Sequence, residues 1–368
     1  MAGLLEGRTV VTEQVFTGGL RPFPGVKRTE NPVRAALMYE ILKDVDSLGL
    51  TAEFSAYADF EDFWEDAFRA SAAVCACKGA GVALRLAEDG KTPDPSVRLG
   101  PVSVSEEGTH CVDKVLMPDA LLEHGGREMA RAWIDVSEDA IRGVRDPSEK
   151  FENMGSSIAD EECPTDFFGA LMWFYWKDIR AVVIKSANRK TGVSSIVNSP
   201  RLSALRDTVA RDELLCWSTV PDAAPAAGFL IQQWVPMRYE YRLFIVDGVP
   251  VSGAGCVEEF TPLDHLWLEE NPFDPQMRML RGNGIAARGD TEVERRPDLV
   301  KRYLDFATPI AGSLPTEMNT VVMDVAIGAH TDEPLIVEFN TLPNSGLYAS
   351  NVHAVYRALV TANNRGYI

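Results

Sequence analysis

Two apolar runs near the C-terminus have the pattern of β-strands, and each carries polar residues that a buried strand would not favour. The first run covers residues 321–327 and contains Asp324, and the second covers residues 335–340 and contains Glu338 and Asn340. Side chains two residues apart on a strand point to the same face, so Glu338 and Asn340 are expected side by side. Three oxygen-bearing side chains on adjacent strands suit Mg²⁺, whereas a hairpin at a sheet edge with a solvated polar face is the alternative.

The hydrophobic pattern upstream alternates between the periods of strands and helices. Strands are predicted at residues 10–16, 73–77, 180–185, 229–236, 241–246 and 249–252, and helices at residues 32–48, 60–72, 126–144, 167–175, 202–214 and 298–311. Asp247-Gly248 stands between two apolar runs and predicts a tight hairpin turn. This alternation indicates a protein of the α/β or α+β class.

The chain has 368 residues and a net charge of −18, with a pI near 4.8. Its length predicts two or three domains. The acidic charge argues against a nucleic-acid partner, because phosphates need a basic footprint. Use of an anionic nucleotide would therefore depend on local Lys and Arg residues together with a metal ion.

Six cysteines are scattered along the chain without the spacing of a metal-binding framework. We interpret them as reduced thiols of a cytoplasmic protein. The N-terminus lacks the pattern of a signal peptide, and no apolar run approaches the length of a membrane span, so no membrane partner is expected.

Lys185 ends a predicted strand of small and β-branched residues and is followed by the polar segment 186–192. A lysine at this place can contact phosphates, while the loop offers backbone N–H groups and hydroxyls. The alternative is a strand-end lysine that reaches water.

Between two predicted strands lies the segment 232–235, Gln-Gln-Trp-Val, which is followed by Glu240 and Arg242. The segment is suited to an adenine edge, or it is a connector with a core tryptophan. Arg242 suits a bidentate grip on phosphate or carboxylate. An ion pair within the sheet is the alternative for Arg242.

Taken in chain order, these segments resemble the ATP-grasp superfamily. Residues 231–248 look like the hinge and following strand of amino-acid ligases of the glutamate-adding type, and residues 337–345 are similar to the metal-binding segment of D-alanine–D-alanine ligases. The resemblance covers residues 148–362 and extends to small phage and bacterial ATP-grasp proteins. The chain departs from the family pattern at Gln233, where an acid is common, and at Asn344, where glycine is usual.

The resemblance implies an ATP-grasp fold with two α+β subdomains that bind ATP, at residues 148–228 and 229–368. An N-terminal α/β domain at residues 1–147 precedes them. The implied cofactors are ATP and Mg²⁺ or Mn²⁺.

The resemblance also implies roles for individual residues. Lys185 contacts ATP phosphates, and Arg242 neutralises phosphate or acyl phosphate. The implied ATP-binding residues are Lys185, Gln232, Gln233, Trp234, Val235 and Glu240, and the implied metal ligands are Asp324, Glu338 and Asn340.

Ligases of this kind join a small carboxylate or peptide to an amine through an acyl phosphate, which needs shelter from water. Arg278 and Arg281 are expected to meet the substrate carboxylate, and Asn344 and Ser345 to line the acceptor site. Two alternatives stay open: a small-molecule kinase with the same phosphate cage, and a nucleotide-binding assembly or maturation factor without turnover.

Overall fold

The computed structural model describes part of the chain. The described residues are 41, 43–44, 60–81, 85–86, 93–94, 102–104, 110–112, 131–135, 173–174, 177–179, 181–186, 195–198, 228–265, 271–279, 292–340, 342 and 345–364.

A four-stranded antiparallel sheet, here called the central sheet, carries the C-terminal part of the chain. Its strand order is β10-β9-β13-β14. The strands are β9 (Met237–Val246), β10 (Val249–Gly255), β13 (Val321–Gly328) and β14 (Pro334–Asn340). Because β13 lies between two neighbours and every one of its residues is buried, any polar side chain on it needs a partner.

A second four-stranded antiparallel sheet, here called the second sheet, has the order β5-β8-β6-β7. Its strands are β5 (Arg131–Asp135), β6 (Ala181–Ser186), β7 (Ser195–Asn198) and β8 (Gly228–Gln233). Shorter strands form separate pairs: β1 (Arg85–Leu86) with β2 (Pro93–Asp94), β3 (Val102–Val104) with β4 (His110–Val112), and β11 (Gln276–Arg278) with β12 (Val293–Arg295).

Helices cover both faces of the central sheet. The helices are α1 (Phe60–Ala80), α2 (Pro297–Ala311) and α3 (Val352–Asn364). On one face Tyr241, Leu243 and Ile245 of β9 cluster with the buried side of α2. On the other face Phe244 and Val246 cluster with α1 and α3, which also contact each other.

The sequence of α2 explains its position. Pro297 occupies the first turn, where no N–H partner is needed, and Asp298 lies near the positive end of the helix dipole. Gly312 follows the last turn. From Val300 onward the buried positions recur every three or four residues, and with Leu299 they form one stripe: Leu299, Val300, Tyr303, Ala307 and Ala311.

Several predicted elements are confirmed. The hairpin turns at Asp247 and Gly248, whose φ angles of 53° and 70° are those of a type I′ turn. The predicted helix at residues 298–311 and both C-terminal strands are present. The mixture of helices and antiparallel sheets places the described part of the chain in the α+β class.

Two predicted elements are wrong. Residues 73–77 were expected to form a strand, but they continue helix α1. A short apolar run has no periodicity that separates a buried strand from a buried helix, and its small side chains suit close packing against α3. A helix was expected at residues 126–144, where the structure has strand β5, because pairing with the distant β8 outweighs local preference.

The predicted elements at residues 10–16 and 202–214 lie outside the described residues. The domain boundaries after residues 147 and 228 stay predictions. Among the helices that the structure describes, none is both long enough and apolar enough to cross a membrane.

A substitution at Gly255 tests how closely β10 approaches β11. A Cβ at Gly255 would overlap the backbone oxygen of Gln276 and touch the Cα atom of Met277. Backbone atoms cannot swing aside, so we expect Gly255→Ala to lower the free energy of unfolding by about 1–3 kcal/mol, measured by urea titration. Gly79→Ala in α1 is the control, because a Cβ there meets nothing within 4 Å. Equal stability of the two variants would contradict the close approach.

Candidate functional site

Three polar residues form a row across neighbouring strands of the central sheet. The strand register places Arg242 of β9 opposite Asp324 of β13, and Asp324 opposite Glu338 of β14. Residues directly opposite each other in antiparallel strands have Cβ atoms about 4.5–5.5 Å apart, close enough for side-chain contact. This polar row, completed by Asn340, is the candidate site.

A β-bulge brings Glu338 into the polar row. Between two paired positions β13 advances by one residue, from Asp324 to Val325, while β14 moves back by two, from Glu338 to Ile336. Val337 is therefore the extra residue of the bulge. Strict alternation would place Ile336 and Glu338 on one face, but the bulge sends Ile336 into the core under α2 and leaves Glu338 opposite Asp324.

Arg242 and Asp324 form a buried, two-pronged ion pair. Arg242 Nε donates to Asp324 Oδ1 at 2.8 Å, and Arg242 Nη2 donates to Oδ2 at 2.8 Å. Asp324 has an exposed fraction of 0% and Arg242 of 8%. Two charges taken out of water at this depth stabilise the fold only because each satisfies the other.

Asn340 joins the two carboxylates of the polar row. Its Nδ2 donates to Asp324 Oδ2 at 3.1 Å and to Glu338 Oε1 at 2.9 Å. The predicted neighbourhood of Glu338 and Asn340 on one strand face is thus present in the structure. Together these contacts place the hard oxygen atoms of two carboxylates beside a single amide group.

The charge of Arg242 is secured by its partner. Burial lowers the pKa of the Arg242 guanidinium, but the charge of Asp324 and its hydrogen bonds outweigh burial and raise that pKa well above its ordinary value. Nearby, burial raises the pKa of the Cys256 thiol well above its ordinary value, and the charge of Glu240 adds to the effect. Cys256 is therefore a neutral thiol beside the polar row, its N–H donating to Glu240 O at 3.0 Å.

A turn after β14 closes over Arg242. Arg242 Nη1 donates to Gly346 O at 3.0 Å, and its guanidinium carbon lies 5.0 Å from the centre of the Tyr348 ring. Tyr348 has a φ of 46°, in the left-handed region that a tyrosine rarely adopts. Such strain is held in place by surrounding contacts and is frequent at functional sites.

A second bulge lies on β9 next to Glu240. Val325 and Ile327 of β13 pair with Tyr241 and Arg238, so two residues of β9 face one residue of β13. Tyr239, one of the two, has a φ of 55°. The Tyr303 hydroxyl of α2 donates to Tyr239 O at 2.7 Å and holds this conformation.

Apolar side chains border the polar row on both sides along the same sheet face. On one side lie Phe244, Val246 and Val322, packed with α1 and α3. On the other side Val235 and Met237 pack against a small cluster of buried residues, namely Ala326, Leu335 and Val337. The polar row is thus a local interruption of an apolar face, which lowers the dielectric constant around its charges.

The predicted adenine segment, residues 232–235, borders this small apolar cluster. The Trp234 N–H donates to Ala181 O at 2.9 Å and is engaged within the second sheet. Gln232 is buried, and its Oε1 has no hydrogen-bond partner among the described atoms. Arg131 of β5, opposite Gln232 in the sheet, donates to Ile336 O and so connects the second sheet to the central sheet.

Other predicted site residues are placed less centrally. The backbone of Lys185 in β6 pairs with Leu230, and the Lys185 side chain lies outside the described part. Arg278 pairs with the half-exposed Glu259 at 2.7 Å. Ser345 is buried in the turn after β14. Arg281 and Asn344 lie outside the described residues.

The oxygen atoms of the polar row suit a hard divalent cation, both as ligands and in their charge. Asp324, Glu338 and the nearby Glu240 carry three negative charges against the one positive charge of Arg242. Among the described residues, no group of three or more His, Cys, Asp or Glu side chains has the geometry to hold a metal ion. The predicted ligand set contains two carboxylates and one amide, a combination that suits Mg²⁺ only when a nucleotide or water supplies further oxygens.

Two residues near the site were absent from the sequence-based prediction. Glu65 and Arg69 of α1 bond to backbone groups of the turn after β14. They are four residues apart in a helix whose neighbouring positions are mostly apolar, so they share one face. That spacing is the only signal in the sequence. It does not show which part of the chain the two side chains contact, because only the fold brings α1 to the turn.

No protein-family model and no curated protein matches this chain. Solved structures do match it. Cdc123 from Schizosaccharomyces pombe has 12% identity and a TM-score of 0.33, with 63% of this chain and 87% of that chain covered. The D-alanine–D-alanine ligase from Bacillus anthracis complexed with ATP has 15% identity and a TM-score of 0.34, with 70% of this chain and 66% of that chain covered.

The ATP-grasp ligase PsnB complexed with minimal precursor has 14% identity and a TM-score of 0.29, with 61% of this chain and 62% of that chain covered. Because these likenesses are distant, the function proposed below rests on the geometry of the polar row.

The ion pair itself can be tested through stability. Asp324→Ala leaves the Arg242 guanidinium buried without its carboxylate, so we expect the free energy of unfolding to fall by about 3–5 kcal/mol. Asp305→Ala is the control, because Asp305 pairs with Lys301 on the exposed side of α2 and is expected to contribute about 0.3–0.5 kcal/mol. Urea titration measures both. A loss in Asp324→Ala no larger than that of the control would contradict the role assigned to the pair.

Proposed function

We propose that this chain is an ATP-grasp enzyme that joins a carboxylate to an amine and releases ADP and phosphate. One observation carries this function: on one face of the central sheet, Arg242 bonds to Asp324, and Asn340 bonds to both Asp324 and Glu338. These are the residues to which the sequence resemblance gives charge neutralisation and metal binding.

Asp324, Glu338 and Asn340 would hold Mg²⁺ or Mn²⁺ at this site. Each carboxylate oxygen has two lone pairs. Asp324 Oδ2 accepts bonds from both Arg242 and Asn340, whereas Oδ1 accepts one bond from Arg242 and keeps a lone pair for a cation. When bound, the metal ion would neutralise charge on the phosphate oxygens of ATP.

In the proposed reaction a carboxylate oxygen attacks the γ-phosphorus of ATP, and the bond from that phosphorus to ADP breaks. The amine nitrogen then attacks the carbonyl carbon of the acyl phosphate, phosphate leaves, and the nitrogen gives up a proton. Arg242 donates three of its five N–H groups to Asp324 and Gly346. The other two can donate to the negative charge that develops in the reaction.

The surroundings of the polar row favour this chemistry. Asp324 and Tyr348 hold Arg242 in one orientation, so little reorganisation is needed when charge develops. The apolar clusters on both sides would limit the access of water to an acyl phosphate. Lys185 and residues 232–235 remain the proposed contacts for phosphates and adenine, and Arg278 and Ser345 those for the substrates.

Calorimetry of ATP binding with and without Mg²⁺ tests the site. We expect binding that depends on the metal ion in the native protein, and an affinity at least about tenfold lower in Glu338→Gln, which keeps the shape but removes the charge. Glu333→Gln is the matched control, because Glu333 is exposed just before the same strand. Equal affinity in Glu338→Gln and the control would overturn the metal assignment.

The products then separate the possible reactions. A ligase releases ADP in a sustained way only when both an acid and an amine are supplied. Sustained ADP release with an acceptor alone, and a phosphorylated product, would indicate a kinase instead. ATP binding without ADP release under any condition would favour a nucleotide-binding assembly or maturation factor.

A further inference from the structure

Helix α1 reaches the candidate site through two charged side chains. Glu65 Oε1 accepts a hydrogen bond from the Leu347 N–H at 2.9 Å. One turn further along the helix, Arg69 Nη1 donates to Leu342 O at 3.0 Å, and Arg69 Nη2 donates to Ser345 O. Both side chains therefore bind the backbone of the turn that follows β14.

The contacts of Arg69 give partners to two carbonyl groups of the turn, of which Leu342 O also accepts from the Ser345 N–H at 3.4 Å. The carbonyl groups of Leu342 and Ser345 point towards one guanidinium, which can bridge two acceptors because its donors form a fixed fork. Arg69 is only 7% exposed. A cation at this depth is costly without partners, so its two carbonyl contacts specify where the turn must lie.

The same turn also contacts Arg242. Gly346, between the residues held by α1, accepts the bond from Arg242 Nη1, and Tyr348 places its ring against the guanidinium. A Cβ added at Gly346 would lie 3.4 Å from both Glu65 Oε1 and Arg242 Nη1. The helix carboxylate and the site guanidinium thus border the same peptide unit.

We propose that Glu65 and Arg69 are positioning residues that hold the turn after β14 at Leu342, Ser345 and Leu347 and, through Gly346 and Tyr348, set the orientation of Arg242. A segment far upstream in the chain thereby completes the site on the central sheet. The catalytic consequence, an Arg242 oriented to bind ATP, rests on the proposed function. The positioning of the turn by Glu65 and Arg69 is a property of the folded chain.

The contacts of Glu65 and Arg69 with the turn after β14 are here called the clamp, and hydrogen exchange measures it directly. In Glu65→Ala the Leu347 N–H loses a charged acceptor, so we expect its exchange to become at least about tenfold faster. Glu65→Gln keeps an oxygen that accepts the same bond, and we expect exchange within about threefold of the native rate. Lys78→Ala is the control on α1, since Lys78 is an exposed cation in the last turn of this helix.

Either of two results would overturn the clamp. One is unchanged exchange at Leu347 in Glu65→Ala, and the other is exchange in Glu65→Gln as fast as in Glu65→Ala. Mass spectrometry of peptides from α3 shows in the same experiment whether faster exchange is confined to the turn, as the clamp requires, or spreads through the helices, which would reduce Glu65 to a general packing role.

Coupling between Glu65 and Arg242 tests, without nucleotide, whether the turn held by Glu65 sets the orientation of Arg242. In a double-mutant cycle with Glu65→Ala and Arg242→Lys, we expect the unfolding equilibrium constants to deviate from independence by about fivefold or more. Independent effects of the two changes would overturn the link from helix to guanidinium.

Affinity for ATP with Mg²⁺ separates the clamp from the proposed function. If the native protein binds ATP, we expect weaker binding in Glu65→Ala by about tenfold and recovery in Glu65→Gln. Unaltered affinity in Glu65→Ala would overturn the catalytic consequence. A native protein that binds no ATP would refute the proposed function, while the exchange and coupling experiments would still decide the clamp.

Discussion

The buried ion pair between Arg242 and Asp324 is the interaction on which the site depends. It joins the two central strands of the sheet at a depth where neither charge is stable alone. The remaining members of the site are arranged around it: Asn340 on the carboxylate, and Gly346 and Tyr348 on the guanidinium. A displaced register would leave two isolated charges in the core, so the ion pair and the strand pairing specify each other.

The surrounding fold confines this polarity to one place. One face of the central sheet packs its apolar side chains under α2, and on the other face apolar clusters lie on both sides of the polar row. Two bulges make this possible, since each shifts the alternation of side chains by one residue where a carboxylate must be placed. Tyr239 in the bulge of β9 and Tyr348 in the turn after β14 both have positive φ angles, which are strained for tyrosine.

The chain as a whole is strongly acidic. The described site nevertheless contains two buried arginines, and each has carbonyl or carboxylate partners for its guanidinium. Arg242 meets a carboxylate and a carbonyl group, whereas Arg69 meets two carbonyl groups of the turn. Such partners fix direction as well as charge, because the guanidinium donors are planar. The result is a site whose walls come from the sheet, from the turn after β14 and from a helix near the other end of the chain.

The pattern of residues was enough to predict the two C-terminal strands, the hairpin at Asp247-Gly248 and the shared face of Glu338 and Asn340, because these depend on spacing along the chain. The fold was needed to show that Arg242 pairs with Asp324, that a bulge turns Ile336 away, and that Glu65 reaches Leu347. Those features depend on strand register and on contacts between residues far apart in the chain. The local pattern of residues contains no information about register or about distant contacts. For this reason residues 73–77 were wrongly predicted as a strand and β5 as part of a helix.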